Sequence, residues 1–327
     1  MRGHMFRLNV LRLWCGLAVS GLMMSAVPGR AAEFRPGDTA VVVQDNVEFG
    51  VGDRVLARLR KGSRLKVTEE RGSWVGGYQV DDPQKDRAWV HESEVKLILR
   101  GPMPAGADEA RAVSALLAAN VRVDVDGQGH VYEVRPTEPF ADAVLANLAD
   151  LEHLVVLDLS GSKAGDAALA HVGKATSLEI LYLEGTAVTD DGLRHLQPLA
   201  KLEVLVLAGT QVTGKGLEQL RPLVSLRTLN LSHCRIQDAD LKHLSAFQAI
   251  EVLTLSHTPL AGDGLVHLRP LRNLRVLNLD DTGVKDPGLK HLAGMPSLKM
   301  LYLKGTGVTS EGTTELDQTL TSCAIYR

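Results

Sequence analysis

Between residues 154 and 310 the chain places apolar side chains in one pattern, L-x-x-L-x-L, and repeats it every 24 residues. The first apolar position falls at Leu154, Leu178, Leu202, Leu226, Ile250, Leu274 and Leu298. The second falls at Leu157, Leu181, Leu205, Leu229, Leu253, Leu277 and Leu301, and the third at Leu159, Leu183, Leu207, Leu231, Leu255, Leu279 and Leu303. Three positions later stands a small, mostly hydroxyl-bearing residue: Ser162, Thr186, Thr210, Cys234, Thr258, Thr282 and Thr306. An apolar residue follows at Val188, Val212, Ile236, Leu260, Val284 and Val308, and each repeat closes through G-L-x-x-L-x-x-L, as at Gly192, Leu193, Leu196 and Leu199. The alternation predicts a short strand with its Leu side chains inward, and the leucines three apart predict about two turns of helix with one buried side. Asp190, Asp238 and Asp286 stand ahead of these helices, where a carboxylate can cap free backbone N–H groups. Pro198, Pro222 and Pro270 end them, because proline disfavours helical geometry in the residue before it. No single repeat can bury its own apolar face, so the copies must stack and their strands join into one parallel sheet.

The pattern is different upstream. Residues 36–98 carry short β-rich runs (39–44, 53–59, 64–69, 74–80 and 87–90) punctuated by Gly50, Gly52, Gly62, Gly72, Gly76 and Gly77, which predicts a small β-barrel. Residues 101–110 read as a Pro/Gly/Ala linker. Ala112 to Ala119 is helical in composition, and Val121–Val125 and Val131–Val134 flank the hairpin turn Asp126-Gly127-Gln128-Gly129. Leu145, Leu148 and Leu151 are in phase with a degenerate first repeat, and Leu316, Leu320, Cys323 and Ile325 leave the period by one residue, as a terminal cap does. The organisation expected is a signal segment (1–32), a barrel (33–100), the linker, an N-terminal cap (111–153), seven repeats (154–310) and a C-terminal cap (311–327).

The repeats, with the motif Thr-x-Val-Thr-Asp-x-Gly-Leu seen at Thr186–Leu193, resemble leucine-rich repeats, specifically a 24-residue bacterial type similar to the repeats of F-box proteins. The resemblance implies an α/β solenoid with a curved parallel sheet on the concave side and short helices on the convex side, used for recognition. No F-box stands ahead of the array and an export signal is at odds with ubiquitin ligation, so only the repeat geometry is expected to carry over. Upstream, Lys61-Gly62-Ser63, Gly72-Ser73-Trp74 and Ala88-Trp89-Val90-His91 resemble bacterial SH3-like domains, without the Asn-x-Arg-x-Gly-Pro segment of the cell-wall-targeting branch. Trp74 and Trp89 are either groove-lining or packing residues.

The first 32 residues change the picture of where the protein acts. Arg2, Arg7 and Arg12, the apolar run Leu13–Val27 and the small residues Gly29, Ala31 and Ala32 predict a secretory signal; a retained anchor is the alternative, with a run short for a bilayer span. The expected location is periplasmic or secreted, with no stable membrane span after cleavage. Cleavage removes four Arg and no acid, and 36 − 4 = 32 basic against 39 acidic residues leaves about −7, which excludes the basic footprint of a nucleic-acid binder. Cys234 and Cys323 are then the remaining cysteines, too few for a disulfide scaffold.

Three motifs invite chemistry and fail on their spacing. Gly209-Thr-Gln-Val-Thr-Gly214-Lys215-Gly216 has Gly where a P-loop needs Ser or Thr, and the repeat itself accounts for the match. His171, His195, His243, His267 and His291 recur at the period, but one per repeat with no companion ligand, a poor zinc set. Asp124-Val-Asp126-Gly-Gln128-Gly129 would put Arg135 where a calcium loop needs Glu. No cofactor, metal or catalytic residue is expected, although a two-carboxylate hydrolase is a distant third reading.

What remains is recognition. If the leucines face inward, the residues between them face out in two columns: Val156, Ile180, Val204, Thr228, Val252, Val276 and Met300, then Asp158, Tyr182, Val206, Asn230, Thr254, Asn278 and Tyr302. An apolar stripe beside amide, hydroxyl and phenol groups predicts an exposed patch that binds a protein, with Tyr182 and Tyr302 as anchors. β-Branched propensity alone would also fill the first column. The other reading is a cell-wall glycan binder acting through the barrel, with the repeats as an extension.

Overall fold

The computed structural model describes residues 35, 38–42, 47–51, 54–59, 63–71, 74–80, 88–91, 95–136 and 140–327. The predicted signal segment lies outside the described residues. Two compact units are present, one reaching Asp158 and the other running from Leu159 to Arg327.

In the first unit, strands β1 (Thr39–Val42), β2 (Val47–Val51), β3 (Arg54–Leu59), β4 (Arg64–Arg71), β5 (Trp74–Gln79), β6 (Ala88–His91) and β7 (Val95–Arg100) pair antiparallel in the order β7-β1-β4-β5-β6-β2-β3. They enclose a core of small and β-branched side chains, among them Ala40, Val42, Leu65, Val67, Val75 and Val90. Strands β2 and β7 were not foreseen. Trp89 is half-buried on β6. The chain then crosses over through a helix, Ala107–Ala118, which starts inside the stretch read as a linker, so that β8 (Val121–Val125) lies parallel to β7. β8 and β9 (Val131–Pro136) form the expected hairpin, whose turn is held by the Asp126 carboxylate accepting from the N–H groups of Gln128 (2.8 Å) and His130 (2.9 Å). β10 (Val156–Asp158) runs parallel to β9.

The second unit is the repeat array. Strands β11 (Ile180–Tyr182), β12 (Val204–Val206), β13 (Thr228–Asn230), β14 (Val252–Thr254), β15 (Val276–Asn278), β16 (Met300–Tyr302) and β17 (Ala324–Tyr326) form a parallel sheet, each residue facing the one 24 positions on. The tail therefore keeps the period in its strand: β17 is in step with β16 and Leu316 with Leu292, while Leu320 and Cys323 fall one residue late. Leu181, Leu205, Leu229, Leu253, Leu277 and Leu301 are at most 1% exposed, and the short helical segments close the core from the other side through residues such as Leu217, Leu220 and Leu223. Phe247 and Met295 fill the last apolar position of their repeats where others have Leu.

Two side-chain columns recur along the array. The Thr column faces inward: Thr186, Thr210 and Thr282 each donate a hydroxyl at 2.7 Å to the carbonyl of the third Leu of their own repeat. Cys234 stands in this column and donates its thiol to the Leu207 carbonyl at 3.1 Å. The Asp column acts differently from the expected capping. The N-caps of the helices at Asp190–Leu193, Gly214–Gln219 and Ser310–Asp317 are Thr189, Thr213 and Thr309. The aspartates are first helical residues, and each reaches into the following repeat. Asp166 accepts from the Thr189 N–H and hydroxyl (2.9 and 2.7 Å), Asp190 from those of Thr213 (2.7 and 2.6 Å) and Asp286 from those of Thr309 (2.8 and 2.7 Å). These bonds hold the Asp286 carboxyl below the usual carboxylate range. Asp238 accepts from the N–H groups of Ala261, Gly262 and Gly264. The glycine that recurs two residues into most of these helices fits this arrangement: a Cβ at Gly192, Gly216 or Gly312 would occupy the space of the preceding repeat's carboxylate.

Among the described residues the two cysteines are free, Cys234 buried and Cys323 half-buried, as the register requires. Four strand spacings of about 4.8 Å put them on the order of 19 Å apart, whereas a disulfide needs Cα atoms within about 7 Å. Mass spectrometry of the non-reduced protein is expected to find no Cys234–Cys323 link; finding one would break the assigned register.

Candidate functional site

The strand face opposite the Leu core is where the two columns come together. The register sets Ile180, Val204, Thr228, Val252, Val276 and Met300 side by side, and likewise Tyr182, Val206, Asn230, Thr254, Asn278 and Tyr302. Val156 and Asp158 belong to the other unit, where both are half-buried and Asp158 pairs with Arg135 at 3.1 Å.

The columns are not the open stripe expected. Ile180 and Tyr182 are each 6% exposed, Val206 8%, Thr228 7%, Val252 3%, Thr254 5%, Val276 5% and Asn278 1%. In-register parallel strands hold like positions a strand spacing apart, so side chains in a column pack against their neighbours. Val252 and Val276 form a small apolar cluster with Met300 and Tyr302 packed on it. Tyr182 is thereby removed as an exposed anchor. Val204, Asn230, Met300 and Tyr302 keep partial exposure.

At the β16–β17 end the face opens. The rings of Tyr302 and Tyr326 stack with centroids 4.7 Å apart and planes 12° from parallel, and Tyr326 is 48% exposed. Burial, then Tyr326 and Asp280, push the Tyr302 phenol's pKa up. Sequence reading missed Tyr326, although one more step of 24 from Tyr302 reaches it.

A polar rim runs along the ends of the strands. Asn230 Oδ1 accepts from the Ser232 hydroxyl (2.7 Å), and the Ser256 hydroxyl donates to Ser232 (2.9 Å). Asn278 Oδ1 takes the Asp280 N–H, and Asp280 Oδ1 takes the Lys304 N–H at 2.7 Å. Burial raises the Asp280 carboxyl's pKa. The tempting motifs resolve as local structure: Lys215 is an exposed helix residue whose N–H points to the Thr213 hydroxyl at 3.3 Å, and a Cβ at Gly214 would meet the Asp240 carboxylate. His171, His195, His243 and His291 are half-buried and His267 exposed. Among the described residues no group of three or more His, Cys, Asp or Glu is placed to hold a metal ion, and no helix is long and apolar enough to cross a membrane.

Residues 223–245 and 271–293 match the family model described as Leucine Rich repeat. The chain contains leucine-rich repeats. Among solved structures, it is similar to an internalin (inlF) from Listeria monocytogenes, with 17% identity, a TM-score of 0.46 and coverage of 62% of this chain and 64% of that one. It is also similar to internalin C2 from the same organism (19% identity, TM-score 0.40, 55% of this chain and 82% of that one). A plant peptide hormone receptor, RGFR1 in complex with RGF2, aligns with 16% identity and a TM-score of 0.40 over 57% of this chain and 33% of that one. The chain thus spans less than two thirds of the lengths of the internalin inlF and receptor structures. No curated protein matches the sequence.

Proposed function

We propose that this protein is a non-enzymatic recognition protein, exported by its first 32 residues to the cell envelope or exterior, that binds a protein partner on the strand face of its leucine-rich repeats. The observation that carries the reading is the Tyr302–Tyr326 stack: a half-exposed aromatic pair beside Met300, at the end of a face most of whose other side chains are buried. Rigid, partly desolvated tyrosines are the side chains on which binding energy concentrates. The antiparallel unit upstream is an SH3-like module in this reading and a second contact for the same partner.

A cross-linking pull-down from the native envelope would identify the partner, after which its affinity for variants decides the face. Tyr326→Ala and Tyr302→Ala are each expected to weaken binding by roughly 30-fold, about 2 kcal/mol, while His195→Ala and His243→Ala on the helix side leave it unchanged. The reverse result would move function to the other side of the array. Retention on purified cell wall that is indifferent to both tyrosines would favour a glycan reader acting through the upstream unit.

A further inference from the structure

In each repeat the turn after the strand enters the left-handed region at one position, filled by Gly161 (φ 67°), Gly185 (65°), Gly209 (66°) and Gly305 (70°). Three consecutive turns depart from glycine: His233 (58°), His257 (56°) and Asp281 (54°). Left-handed backbone is strained for a residue with a Cβ, and such strain gathers at functional positions. His and Asp tolerate it better than most residues, so the backbone accounts for the residue types. The 24-residue register sets the three side chains side by side, and they engage one another. The imidazoles of His233 and His257 stack with centroids 4.2 Å apart and planes 9° from parallel, and His257 Nε2 lies 3.4 Å from Asp281 Oδ2. The turns beneath are locked, with the N–H groups of His233, His257 and Asp281 donating to the carbonyls of Ser256 (3.0 Å), Asp280 (2.9 Å) and Lys304 (2.7 Å).

We propose that the His233–His257–Asp281 ladder is a proton-operated switch on the rim of the sheet, closed while the imidazoles are neutral and stacked, and opened when both take up a proton. A proton on His257 is matched by the facing Asp281 carboxylate. A second proton, on His233, has a cation at stacking distance. The other charged groups on these turns and the ones beside them are Arg235 on the His233 turn and Asp280 and Lys304 on the Asp281 side; Ala208-Gly209, beyond His233, brings none. Burial, then His257, hold the pKa of His233 below its ordinary value, with Asp281 opposing. A histidine depressed in the folded state takes its proton more readily when unfolded, so stability is lost as pH falls from the unfolded value of about 6.5 through the folded value. The rim is acidic through Asp280 and Asp281 when closed and gains two positive charges on opening. It lies two or three residues beyond Asn230, Thr254 and Asn278, so the change occurs beside the strand face.

The switch can be read without a partner, on the full chain. Glycine suits this backbone, so His233→Gly and His257→Gly keep the fold, and their Tm at pH 8 is expected to equal or exceed that of the parent. In an NMR titration from pH 8 to 5, the His233 ring resonances are expected to move with a midpoint below 6.5, and that midpoint should rise in His257→Gly, which removes the neighbouring cation. The parent should lose more Tm between pH 8 and 5 than His233→Gly does. An unmoved His233 midpoint in His257→Gly would overturn the proposal, as would equal pH dependence of Tm in the parent and His233→Gly. A fall in Tm of the glycine variants at pH 8 would overturn it too, by making the stack a structural support.

Discussion

Leu229→Asp is expected to abolish cooperative folding of the repeat array at 25 °C, as read by a thermal melt. Leu229 is the central inward side chain of β13, 0% exposed, with Leu205 and Leu253 directly beside it in the neighbouring strands. Truncating a buried Leu costs about 2–5 kcal/mol. Placing a carboxylate there adds several more, whether it stays charged without a partner or takes up a proton to avoid that state. Against a total stability of about 5–15 kcal/mol, the sum removes most or all of the folded population. Because a solenoid is held by nearest-neighbour interfaces, the loss falls on the repeats of β12 and β14 as well. Lys215→Ala is the matched control: the side chain is exposed on a helix one repeat away. Its Tm should stay within about 2 °C of the parent's, as surface substitutions do, and be indifferent to added nucleotide. A cooperative melt of Leu229→Asp near the parent's Tm would mean that the inward face has been misassigned; nucleotide-dependent stabilisation lost in Lys215→Ala would revive the P-loop.

That register was legible because a strict period of 24 repeats the same buried positions, and each copy checks the others. What the period does not reveal is reach between copies. Asp190 stands where a helix-capping residue would, and only the stacked repeats show its carboxylate engaging Thr213, while Thr189 caps its own helix. Alternation likewise gives the direction of a side chain and not what lies beside it, which is why Tyr182 was expected to be open and is 6% exposed. The left-handed turn position was visible as a glycine column broken at 233, 257 and 281, yet its meaning depends on φ and on the rings meeting. Upstream, no period corrects an error. Strand β2 carries Gly50 within five residues, and β7 is a nearly continuous apolar run, so neither offers a clean alternation.

The carboxylate–glycine pairing between repeats predicts a coupled pair of substitutions. At three junctions an Asp at the first helical position of one repeat puts its carboxylate over a Gly in the next, as Asp190 does over Gly216. One junction is inverted: Gly214 stands at the Asp position and Asp240 at the Gly position, and a Cβ on Gly214 would run into the Asp240 carboxylate. Asp240 turns back to accept the Gln237 N–H at 2.9 Å, the same backbone group that an Asp at 214 would reach by analogy with Asp190 and Thr213. Gly214→Asp alone therefore sets two carboxylates in one space. Overpacking of about 1–3 kcal/mol and the repulsion of like charges together should cost about 3 kcal/mol or more, outweighing the gain of less than about 1 kcal/mol from replacing a helical glycine. Asp240→Gly alone strands the Gln237 N–H and should cost about 1–2 kcal/mol, the range for losing a helix cap. The double variant rebuilds the Asp190–Gly216 arrangement one repeat later, and its stability should return to within about 1 kcal/mol of the parent. Denaturant unfolding of all four proteins measures the coupling directly. Additive losses in the double variant would show that the two positions do not share one space, and that the glycines of the array are set by something other than the carboxylate ladder.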